Sequence, residues 1–133
     1  MDRMIVVTLP VRDLAAARAF YAGLGMSVNE MLSDEHVVCV VVSRTICVML
    51  LDHARFADVA PRPIADAHAT TQVLLCLTAA DRCDVDALAR AALAHGGTEV
   101  RDVQDDGPVY ARAVSDPDGH VWELLHTDPA ATA

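Results

Sequence analysis

A chain of 133 residues is one domain's worth of sequence, or two small halves sharing a core, because small folds bury proportionally little surface. Ten basic residues against 19 acidic ones give a formal net charge of −9, which repels phosphate backbones, and no basic cluster or aromatic platform offsets it, so nucleic acid is not an expected partner. The hydrophobic share, 53%, is high enough to suggest a subunit interface or an apolar pocket, yet no apolar run approaches the roughly 20 residues of a membrane span and no signal-peptide pattern surrounds Asp2 and Arg3.

Residues 4–11 read as a strand, with Ile5, Val7, Leu9 and Val11 on one face and Met4, Val6, Thr8 and Pro10 on the other. Pro10 has no N–H for a ladder, so this strand frays there or lies at a sheet edge. Asp13 suits a helix N-cap, Leu14, Ala17, Phe20, Tyr21 and Leu24 recur at helical spacing, and Gly23 or Gly25 ends the helix. Strand-like runs follow at 26–31, 36–42 and 45–51. Residues 52–70, with Pro61 and Pro63, break the pattern and predict a linker containing one short helical turn at 54–59. His53 and His68 read as solvated loop residues, since no second ligand stands at metal spacing beside them.

The second half repeats the first. Residues 72–78 predict a strand, and Asp81 caps a helix with Asp84 at its third position. Val85, Leu88, Ala89, Ala92 and Leu93 form its buried stripe, and Gly96-Gly97 stop it. Strands at 98–103, 109–114 and 120–126 complete the unit, with Asp105-Asp106-Gly107 as a turn. The order β-α-β-β-β thus occurs twice with a period of about 65 residues, which indicates two fused modules, 1–51 and 71–127, joined by 52–70 and followed by a flexible tail at 128–133. Cys39, Cys47, Cys76 and Cys83 show no C-x-x-C spacing, and three lie in apolar runs. They read as buried free thiols in a reducing cytoplasm rather than disulfides or a zinc site.

Chemistry concentrates near the end, in Asp116-Pro117-Asp118-Gly119-His120-Val121-Trp122-Glu123-Leu124-Leu125. Pro117 and Gly119 suit a tight turn, and the strand after it sends His120, Trp122, Leu124 and His126 one way and Val121, Glu123 and Leu125 the other. Glu123 therefore lies between two aliphatic side chains. A carboxylate there must pair, neutralise or bind a cation, and structural and functional roles both remain open.

This stretch, together with Leu9-Pro10-Val11-Arg12-Asp13-Leu14 running into Phe20-Tyr21 and Leu24-Gly25, resembles the vicinal oxygen chelate superfamily of glyoxalases, bleomycin-resistance proteins and ring-cleaving dioxygenases. The resemblance implies an α+β fold in which two tandem βαβββ modules form a half-open mixed β-barrel with helices outside. It leaves the reaction open, since the family includes metal-dependent lyases, isomerases and dioxygenases beside metal-free proteins that sequester antibiotics. Four metal-ligand slots carry over onto Val6, Val48, Gln72 and Glu123. Val6 and Val48 have no lone pair, so no cofactor is expected, the alternative being a weakly held divalent ion on Gln72 and Glu123.

Strand parity within that fold gives an apolar cavity of Val6, Thr8, Ile46, Val48, Leu50, Leu74, Cys76, Val121 and Leu125 around Gln72 and Glu123, with Trp122 and Leu124 outward beneath the helices. Tyr110 and Arg112 share one face of the seventh strand. If that face is inward, Arg112 partners Glu123 or an anionic ligand and Tyr110 stacks or donates; if outward, both are ordinary surface-strand residues. The expected function is binding of a small, largely apolar organic molecule by a cytoplasmic homodimer. The rival is an enzyme acting on a carbonyl or oxygenated small molecule: a lyase or isomerase that is metal-dependent or uses Glu123 as general base, or a dioxygenase.

Overall fold

Each strand pairs within its own half of the chain, which divides into two compact units, Met1–Asp66 and the residues from Ala67 onward. The protein is described by a computed structural model over residues 1–129, so the expected tail lies outside the described residues beyond Pro129.

In the first unit β1 (Ile5–Val11) runs parallel to β4 (Ile46–Asp52), and β3 (Val37–Ser43) and β2 (Ser27–Asn29) continue antiparallel in the order β1-β4-β3-β2. Pro10 accordingly sits in an edge strand. Asp13 Oδ1 accepts from the amides of Ala15 at 3.0 Å and Ala16 at 3.2 Å, satisfying donors that the start of α1 (Leu14–Gly23) would otherwise leave open. Ala17, Phe20 and Tyr21, spaced one turn apart, bury that helix on β3 and β4. The strand expected at 26–31 is cut short because the Asn29 side chain accepts from Met31 N at 3.1 Å and starts a 3-10 turn, Glu30–Leu32, which Arg18 of α1 holds through Glu30. The helical turn in the linker is α2 (His53–Val59), capped by Asp52, whose Oδ1 accepts from Arg55 N at 2.8 Å.

The second unit has the same topology. β5 (Leu74–Thr78) is parallel to β8 (Val121–Thr127), and β7 (Val109–Ser115) and β6 (Thr98–Asp105) complete the order β5-β8-β7-β6. Asp81 Oδ1 accepts from Asp84 N at 2.7 Å while Asp84 Oδ2 accepts from Ala80 N at 2.9 Å, a reciprocal clamp on the start of α3 (Arg82–Ala94). Val85, Ala89 and Ala92 bury α3 on its sheet, chiefly on β7 and β8. β6 is longer than its sequence suggested, exposed throughout, and its register against β7 slips on both sides of Arg101. Such slips bend an edge strand and re-aim its side chains.

Candidate functional site

The turn before β8 sets the phase of the strand that carries the acid. Asp116, 1% exposed, accepts from Asp118 N and His120 N through one carboxylate oxygen, at 2.9 Å each, and its own amide donates to His120 O. Gly119 closes the turn at φ 89°, a conformation that side chains disfavour. The chain thus enters β8 with Val121, Glu123 and Leu125 on the sheet face that carries no helix.

Register then assembles a row across all four strands. Arg101 of β6 stands opposite Ala113 of β7, Ala113 opposite Glu123 of β8, and Glu123 beside Cys76 of β5. Two strand spacings, roughly 10 Å, separate the Arg101 and Glu123 backbones, a distance only a long side chain can cover. The small Ala113 leaves it a path. Arg101 Nη2 donates to Glu123 Oε2 at 3.0 Å, with the two side chains 42% and 26% exposed, and this is the one hydrogen bond of either side chain among the described residues. Leu74, Val121, Leu125 and Ala111 surround the pair on the same face. Burial first, and then the negative charge of Glu123, push the Cys76 thiol above its ordinary pKa, so it stays protonated near neutrality. An open cleft of about 440 Å³ runs along β6, lined by Glu99, Val100, Arg101, Asp102 and Val103.

Several residues expected in the cavity are elsewhere. Tyr110 and Arg112 are opposite His126 and Leu124, on the face that α3 covers. There Tyr110 donates to Asp86 Oδ1 at 2.8 Å, and Arg112 reaches Asp86 Oδ1 at 3.1 Å and Glu99 Oε2 at 2.8 Å. The tyrosine hydroxyl, and then Arg112, hold the Asp86 carboxyl below its usual range. Arg112 is therefore not the partner of Glu123. The same face buries Trp122 and Leu124, as their alternation required.

In the first unit Val6 pairs with Cys47 and Thr8 with Met49, whereas Val48 and Leu50 pair with Val7 and Leu9 and are fully buried on the opposite face. Ile46, which pairs with Ile5, belongs to that opposite face too. Val48 and Leu50 belong to the buried core. Gln72 falls in a bend two residues before β5 begins and is exposed; Cys76, not Gln72, stands beside Glu123. His36 is engaged by Asp52 at 2.6 Å and His126 lies 3.4 Å from Ala79 O.

Arg101 was not singled out by the sequence. Its phase depends on two register slips that no local pattern reveals, and the only available signal was that an acid amid aliphatic side chains requires a cation from a flanking strand.

Of the four slots, Val6 and Val48 offer no lone pair, Gln72 lies outside the strand, and Glu123 is bonded to a guanidinium. No three His, Cys, Asp or Glu side chains are grouped for a metal among the described residues.

A sequence model of the glyoxalase/bleomycin resistance protein/dioxygenase superfamily matches residues 3–124. The chain belongs to that superfamily. Solved structures share the fold at low identity. A hypothetical protein from S. aureus is 23% identical with a TM-score of 0.80, over 95% of this chain and 94% of that one. A glyoxalase-related enzyme from Fulvimarina pelagi is 21% identical at 0.77, covering 94% and 88%, and a lactoylglutathione lyase from Agrobacterium tumefaciens is 22% identical at 0.69, covering 94% and 93%. No curated protein matches the chain significantly. Among the described residues no helix is long and apolar enough to cross a membrane.

Proposed function

We propose that this glyoxalase-superfamily protein binds a small, largely apolar organic molecule over the helix-free face around Glu123, without a tightly bound catalytic metal, and works as a cytoplasmic homodimer. The observation that carries the reading is the Arg101–Glu123 pair set among Leu74, Ala111, Val121 and Leu125: an apolar bed with one polar anchor whose charge the chain itself balances. Free cysteines support a reducing compartment. Exposed Ile5 and Val6 on β1 and Val73 and Leu74 at β5, both edge strands, support a second copy as partner.

The same pair supports a second reading, an enzyme. A carboxylate and a guanidinium side by side supply a base for a proton α to a carbonyl and a donor for the oxygen that becomes negative.

The test is a titration of isotope-labelled protein with indole and cyclohexanone, followed by amide resonances. Shifts centred on Leu74, Cys76, Val121 and Leu125 are expected, and their absence overturns the binding face. Stoichiometric metal in the purified protein, or a melting temperature lowered by chelator, overturns the metal-free part. A monomer by sedimentation at micromolar concentration overturns the homodimer.

A further inference from the structure

A guanidinium carries five N–H donors, and Arg101 spends one of them on Glu123. Two other arginines of this unit are engaged more than once, while Arg90 acts on Asp86 through its charge alone. Arg82 makes two bonds of 2.9 Å to Asp105 and one of 2.7 Å to Gly107 O, and lies 4.8 Å over the Tyr110 ring; Arg112 serves Asp86 and Glu99. Among Arg82, Arg101 and Arg112, Arg101 alone makes a single bond, on a half-exposed side chain at the border between an apolar face and an open cleft.

Glu123 leaves that pair neutral rather than acidic. Glu99 shares Arg112 with Asp86 on the other face, and Asp102 lines the cleft, so within the row Arg101, Ala113, Glu123 and Cys76 the one carboxylate is already paired. Arg101 pairs with Ala113 between two register slips, the kind of irregularity that re-aims a side chain.

We propose that Arg101 recognises a carboxylate on the bound molecule: the ligand's two oxygens take two parallel N–H donors of the guanidinium, while its apolar body lies on Leu74, Val121 and Leu125. This deepens, and rests on, the binding face proposed above. It makes the ligand class an apolar carboxylic acid and gives Glu123 the role of fixing the guanidinium in place. Planar bidentate pairing distinguishes a carboxylate from the isosteric amide, whose NH₂ meets the donors with donors of its own.

The experiment compares 1-naphthoate with 1-naphthamide, of nearly equal shape, by titration calorimetry and amide shifts at neutral pH. Wild-type protein is expected to bind naphthoate about ten-fold or more tightly than naphthamide. Arg101→Gln abolishes that preference while naphthamide affinity stays within about two-fold, and Arg101→Lys retains part of it. Circular dichroism checks that each variant folds; since Arg101 is half-exposed on an edge strand, both are expected to. Equal binding of the two probes on this face, or a preference that survives Arg101→Gln, overturns the carboxylate assignment and leaves the binding face standing. If neither probe shifts the resonances of this face, the binding face itself falls.

Discussion

Replacing Gly119 by alanine tests whether the turn before β8 is held by residues far from it in sequence. Gly119 has φ 89°, and a Cβ there would lie 2.8 Å from the Ala67 carbonyl carbon and the His68 amide nitrogen and 2.9 Å from His68 Nδ1. A left-handed conformation costs an L-residue about 1–2 kcal/mol. Contacts close to 1 Å inside the optimum of about 3.5–4.0 Å, against backbone atoms that cannot rotate away, add about 1–3 kcal/mol. Gly107 supplies the control, with φ 78° and nothing within 4 Å of where its Cβ would stand. Gly107→Ala should cost only the conformational part, about 1–2 kcal/mol, and Gly119→Ala about 2–5 kcal/mol. Urea unfolding at unchanged slope measures both. Should the two variants agree within about 0.5 kcal/mol, residues 67 and 68 yield freely and do not pin the turn.

The assignment of Tyr110 and Arg112 to the helix side predicts that Tyr110→Phe and Arg112→Gln lower the unfolding free energy measured in urea, the latter by about 1–2 kcal/mol once screening of the third-exposed Asp86 and Glu99 is allowed for, and leave affinity for indole unchanged; weakened binding would return them to the site. His36 is held above its ordinary pKa of 6.5, first by its bond to Asp52, and Asp52 below 3.8, first by the Arg55 amide and then by His36. The histidine's contribution is complete below 6.5 and lost as pH rises through its higher folded value, while that of Asp52 is present above 3.8 and lost below. The stability gap between wild type and His36→Gln should therefore be widest between those values and close in alkali; a gap independent of pH rules out the pair. At Cys76, thiolate-selective labelling read by mass spectrometry should run a few-fold faster in Glu123→Gln, because the carboxylate is one of two causes raising that thiol's pKa. An unchanged rate would mean that Glu123 exerts no field on its neighbour.

Element order was readable because it rests on local chemistry. Asp13 and Asp81 cap, Gly25 and Gly96 stop, and Phe20 and Val85 face inward at helical spacing, all within a few residues of one another. Which face a strand shows was readable only where apolar and polar residues alternate. In β8 the single acid in Val121-Trp122-Glu123-Leu124 marks the phase, and the pairing agrees with it. In β4 the run Ile46-Cys47-Val48-Met49-Leu50 is apolar at each position, so no internal mark exists and the face is decided by β1, which aligns Val48 with Val7. Tyr110 and Arg112 had the opposite difficulty: two polar residues at alternate positions fit a solvent face or a cavity equally well, and it took Asp86, 24 residues away in sequence from Tyr110, to decide for the helix side. Arg101 combines both obstacles, an irregular strand and a partner 22 residues distant, so local pattern could not supply it. A row of residues contributed by four strands exists only after the sheet has formed. That is why the acid of this site could be named from sequence and its cation could not.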